Sequence, residues 1–138
     1  MRPKKVILCV DDNEQELSVL KFMLETNGYR VVPAASGQEA ISLLSKGWVD
    51  LVLADFAMPQ MNGHQLINRL KGMAPHIPMI LLGEASFIKG SIAPADVLIS
   101  KRLTSSTDLL ELIRIMSARK RGPKKGTLRV IPYPAVTV

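Results

Sequence analysis

The sequence predicts an α/β protein, a three-layer sandwich in which helices cover both faces of one parallel sheet. Three observations carry this. Short apolar runs alternate along the chain with stretches of helical periodicity, and strands that alternate with helices pair in parallel through crossover helices. The strand-like runs VILCV, DLVLAD and PMILL are apolar almost throughout, as strands buried on both faces are. Finally, 138 residues with 47% apolar and 22% charged side chains are enough for one domain with its own core, without a disulfide or metal staple.

The elements follow in order. Lys5–Val10 reads as a buried strand ending at Asp11 and Asp12. Asn13–Asn27 reads as a helix, with Leu17, Leu20 and Leu24 at helical spacing and Gly28 as its stop. Arg30–Ala35 is a second strand. Ser36 and Glu39 form a capping-box signature, and Ala40, Ile41, Leu43 and Leu44 give the next helix its apolar face. Asp50–Asp55 is a third strand and Asn62–Met73 a third helix, carrying Leu66, Ile67 and Leu70. Pro78–Leu82 and Ala95–Ser100 are the fourth and fifth strands. Ser105 or Ser106 caps a last helix faced by Leu109, Leu112, Ile113 and Met116. Five such βα units favour the flavodoxin-like strand order 2-1-3-4-5, whose ligand site lies at the carboxyl ends of the strands.

Charge divides the chain. The net charge is +6, yet residues 1–113 hold 11 basic and 12 acidic side chains, whereas residues 114–138 hold seven basic and no acidic ones. The expected domain, residues 1–117, is therefore nearly neutral, which argues against nucleic-acid binding by the domain itself. Residues 118–138 read as a basic, proline-containing tail or linker. No apolar run is long enough to span a membrane, and VILCV is too short for a signal-peptide core, so a cytoplasmic protein is expected. The lone Cys9 has no bridging partner and reads as a small buried hydrophobe.

Acidic residues fall where this fold places its site. Asp11 and Asp12 end the first strand and Asp55 the third, and these strands are neighbours in the proposed order. Clustered carboxylates raise one another's pKa, and a divalent cation relieves the repulsion. Oxygen-only ligands with room for water suit Mg²⁺ or Mn²⁺. Lys101 ends the fifth strand on the same rim. An acid cluster beside a lysine, without histidine or cysteine, points to phosphate chemistry. Any one of these carboxylates alone would read as a helix cap or a solvated loop residue.

The segments VILCVDDNE, LVLADFAMPQMNG and LISK resemble the receiver domain of bacterial response regulators over about residues 4–117. The run from Asp55 to Gly63, with its proline, methionine and glycine, is the most specific part. The resemblance implies that Asp55 accepts a phosphoryl group from a sensor histidine kinase or phosphotransfer protein. It implies that Asp12 binds Mg²⁺ directly, Asp11 binds it through water, and the Ala57 carbonyl is a further ligand. Lys101 would pair with the phosphoryl oxygens. Output would pass to a downstream protein effector, and the fourth and fifth units are the usual pairing face of homodimers in this family. Phosphoryl transfer needs an in-line nucleophile and charge neutralisation, and a carboxylate can form an acyl phosphate directly.

Four features depart from that family. Gly83 stands where a hydroxyl usually ends the fourth strand, Leu98 where an aromatic residue usually sits, and Arg102 where proline follows the lysine. The stretch between Gly83 and Lys101 is short and broken by Pro94, so an irregular helix is expected there. These changes spare the acid cluster and strike its readout, which motivates an alternative: a pseudo-receiver that docks partners independently of phosphorylation. An aspartate-nucleophile phosphohydrolase is a further alternative, but its second aspartate would fall at Ala57; the expectation is no enzyme beyond slow self-dephosphorylation. The tail cations Arg119, Lys120, Arg121, Lys124 and Lys125 could meet nucleic acid or an acidic partner. His64 and His76 read as solvated or capping, Met58 and Met61 as loop packing, and Trp48 as a shield over the core.

Overall fold

The computed structural model describes residues 4–83, 96–101 and 104–118. Its elements are β1 (Val6–Val10), α1 (Glu14–Thr26), β2 (Arg30–Ala34), α2 (Gly37–Lys46), β3 (Leu51–Asp55), α3 (Gly63–Met73), β4 (Met79–Gly83), β5 (Val97–Ser100) and α4 (Ser106–Ser117). The boundaries depart from the sequence reading by a residue or two: Asn13, Asn27 and Asn62 serve as helix caps, and the strand ends shift by one or two residues. The irregular helix expected before Lys101, Arg102 and the tail beyond Ala118 lie outside the described residues.

All four strand pairings are parallel, in the order β2-β1-β3-β4-β5. Pro33 lacks an N–H and sits on the edge strand β2, where the missing donor is tolerated. Each strand sends alternate side chains to opposite faces. Ile7, Cys9, Leu51, Leu53, Ile80, Leu82, Val97 and Ile99 join α1 and α4 in one core. Leu8, Val10, Val52, Ala54, Met79 and Leu81 join α2 and α3 in the other.

The helices begin and end where local chemistry directs. The Asn13 side chain accepts from the Gln15 and Glu16 N–H groups, filling orphan donors at the start of α1. Gly28 has φ of +93° after that helix, a left-handed turn that glycine adopts without strain. Ser36 accepts from Glu39 N–H, and the Glu39 carboxylate accepts from Ala35 N–H. Asn62 and Gln65 form a reciprocal capping box. Ser105, rather than Ser106, caps α4 by accepting from Asp108 N–H.

One expectation is corrected. Trp48 does not shield the core; it is 72% exposed. Gly47 ends α2 and turns the chain back, and the core position falls to Val49, which is 4% exposed. Met58 is buried and Met61 packs partly against the α2/α3 core. Among the described residues, no helix is long and apolar enough to cross a membrane.

Candidate functional site

Sheet register assembles the site. Val10 lies level with Ala54, so Asp11 and Asp55 follow at the same height on neighbouring strands. Their odd positions continue the alternation of Ile7 and Cys9 and of Leu51 and Leu53, which places both on the α1/α4 face. Gly83 lies level with Ser100, and the next residue, Lys101, donates its N–H to Gly83 O at 2.9 Å. Lys101 continues the alternation of Val97 and Ile99 on that same face. Its Nζ lies 3.1 Å from Asp55 Oδ1 and 3.6 Å from Asp11 Oδ2.

Asp12 completes the acidic group. One carboxylate oxygen from each of Asp11, Asp12 and Asp55 lies within 4.8 Å of the others. Asp11 and Asp55 are 2% and 5% exposed, whereas Asp12 is exposed. Two oxygens sharing one Mg²⁺ at about 2.1 Å lie no more than about 4.2 Å apart. Small side-chain rotations or an intervening water therefore suffice, and three carboxylates of hard oxygen character fit such a cation. Ala57 sits two residues beyond Asp55 in an exposed loop.

That loop is held at both ends. Phe56 N–H donates to Leu82 O at 2.7 Å, and Phe56 O accepts from the N–H groups of Met58 and Gly63. The reason for glycine at position 63 is visible here. A Cβ on Gly63 would lie 2.7 Å from both Asp55 O and Phe56 Cα and 2.4 Å from Leu81 Cδ1. The first turn of α3 thus abuts the backbone that carries Asp55.

The charges act on each other. Burial pushes the Asp11 carboxyl up to about 6, opposed by the hydrogen bond from Asn13 N–H and reinforced by the charge of Asp55. Burial also raises Asp55, against the charge and hydrogen bond of Lys101, while Glu16 and Asp12 add to the rise. Burial pulls Lys101 down, but its hydrogen bond to Glu16 and the charge of Asp55 outweigh that and hold the ammonium above the ordinary lysine range. Cys9 lies below this group; burial lifts its thiol to about 12, with Asp11 adding to the effect, so it is no nucleophile at neutral pH.

One participant escaped the sequence reading. Glu16, in the first turn of α1, accepts a hydrogen bond from Lys101 Nζ. From sequence it reads as an ordinary acidic residue at a helix start. Strand parity, combined with the side of the sheet that α1 covers, was the signal that could have found it. A cavity of about 360 Å³ opens beside this pair, lined by Leu20, Leu82, Thr104 and Leu109 among others. Gly83 offers no side chain at the end of β4, and Leu98 is partly buried against the α2/α3 core.

A doubly wound sheet with an acid cluster and a lysine at its carboxyl rim defines a class that the comparisons then specify. Residues 7–114 match the response regulator receiver domain, and the chain belongs to that family. It is 34% identical over 102 residues to the transcriptional regulatory protein GlrR of Escherichia coli (strain K12), covering 74% of this chain and 23% of GlrR. The chain thus spans about a quarter of that relative. It is 36% identical over 112 residues to a 14.6 kDa protein from the sodA1 3′ region of Leptolyngbya boryana, covering 80% of this chain and 86% of that one. Among solved structures it is similar to the response regulator TrrA of Thermotoga maritima in complex with Mg²⁺ and BeF. That likeness has a TM-score of 0.76 at 28% identity, over 81% of this chain and 98% of that chain.

Proposed function

We propose that this receiver domain takes a phosphoryl group on Asp55 from a histidine kinase or phosphotransfer protein and signals through protein–protein contact. The observation that carries this is the placement of Lys101 Nζ against both Asp55 and Asp11 on one rim of the sheet. An Asp55 carboxylate oxygen attacks the donor phosphorus, the new P–O bond forms, and the donor's bond to phosphorus breaks with its electron pair. The Lys101 ammonium meets the negative charge of the arriving group. Asp11, Asp12, Asp55 and the Ala57 carbonyl would hold Mg²⁺, which when bound neutralises phosphoryl charge. Val19 is exposed on α1 and lines the cavity beside Asp11 and Lys101, and it offers apolar contact to a donor protein. The setting is cytoplasmic, and turnover is limited to slow loss of the phosphoryl group from Asp55.

Acetyl phosphate tests this without a partner. With Mg²⁺, the wild type gains the mass of one phosphoryl group and Asp55→Asn gains none. Unchanged mass in the wild type, or equal labelling of the variant, would refute the reading.

Gly83 and Leu98 favour a second reading of the output. The family resemblance expects a hydroxyl and an aromatic side chain at these positions, and neither is present. Phosphorylation would then leave docking unchanged, and partner affinity would survive Asp55→Ala.

A further inference from the structure

We infer that Glu16 is a positioning residue that competes with an incoming phosphoryl group for the Lys101 ammonium, so that acceptance on Asp55 requires Lys101 to release Glu16. The inference rests on the phosphoacceptor reading. An ammonium has three donors, and Lys101 directs them towards Glu16 and Asp55, with Asp11 at 3.6 Å. The phosphoryl group would meet an ammonium already engaged.

Glu16 is the partner suited to let go. Its side chain is 46% exposed, against 2% and 7% for Asp11 and Asp55, so its charge is easily solvated once released. The helix start does not need its carboxylate, because Asn13 already caps the Gln15 and Glu16 N–H groups. The adjoining cavity leaves room for both long side chains to swing. Glu16 also places a negative charge beside Asp55, which repels an arriving anion. Competition for the lysine and direct repulsion act in the same direction.

Beryllofluoride with Mg²⁺, a stand-in for the phosphoryl group, provides the probe, with affinity read by calorimetry on the full chain. Glu16→Gln should bind about two- to fivefold more tightly than wild type, the span that one exposed ion pair supplies. Glu16→Ala should do the same, and Glu16→Asp should restore part of the wild-type weakness. The Lys101 ammonium nitrogen resonance should move in the free Glu16→Gln protein towards its position in the bound wild type. A merely structural role for Glu16 would instead weaken binding in step with lost thermal stability. If the wild type binds and Glu16→Gln binds no more tightly, the inference falls alone. If neither binds, the phosphoacceptor reading falls with it.

Discussion

Gly63→Ala lowers the stability of the domain by about 3 kcal/mol, as overpacking in a closed site does, and slows labelling of Asp55. The added methyl group meets Asp55 O and Phe56 Cα at 2.7 Å. Both are backbone atoms, so no side-chain rotation relieves the contact. Either α3 moves outward, opening the α2/α3 core around Leu66 and Ile67, or the β3 end moves and carries Asp55 off Lys101. The hydrogen bond from Gly63 N–H to Phe56 O at 2.8 Å is lost in both cases. Gly72 is the internal control. It lies in the same helix, with nothing within 4 Å of a Cβ, and Gly72→Ala should stabilise by about 0.5–1 kcal/mol through helix propensity. Urea melts of the two variants should therefore shift in opposite directions; a Gly63→Ala midpoint at or above that of wild type would contradict the packing argument.

Without divalent cation, at about pH 8, Asp11→Asn is more stable than wild type by on the order of 1–3 kcal/mol. The Asp11 carboxyl rises from 3.8 in the unfolded chain to about 6 in the folded one. Above 6 the folded state therefore carries a buried anion at full cost. Between the two values the folded state keeps a proton that the unfolded chain has released, so wild-type stability grows as pH falls. The advantage of Asp11→Asn shrinks through that window and vanishes near pH 4. Asparagine retains an oxygen that can accept from Asn13 N–H, the bond that Asp11 Oδ1 makes at 2.9 Å. Mg²⁺ should stabilise the wild type by binding the folded state and should act more weakly on the variant. Thermal melts across pH, with and without Mg²⁺, measure all of this. A variant less stable than wild type at high pH would show that Lys101 more than compensates the buried charge.

Most of the fold was legible because its signals are local and repeated. Unbroken apolar strands, Gly28 and the Ser36–Glu39 pair each specify a neighbour or a terminus. The rim of Asp11, Asp12, Asp55 and Lys101 was legible because strand ends and strand order together locate it. Glu16 was not, since its role depends on which side of the sheet α1 covers and how far one exposed side chain reaches. Trp48 misled because a large aromatic is a strong prior for burial, whereas the turn at Gly47 hands that position to Val49. The glycine at 63 could be recognised as part of a motif, but its reason, contact with the Asp55 carbonyl, appears only in three dimensions.

The most direct test of the account is to locate the phosphoryl group. Borohydride reduction of an aspartyl phosphate converts that residue to homoserine, which peptide mass spectrometry can place. After treatment with acetyl phosphate and Mg²⁺, homoserine should appear at position 55 alone. Homoserine at position 11 or 12, or none at all in labelled protein, would contradict the assignment of Asp55 as the acceptor.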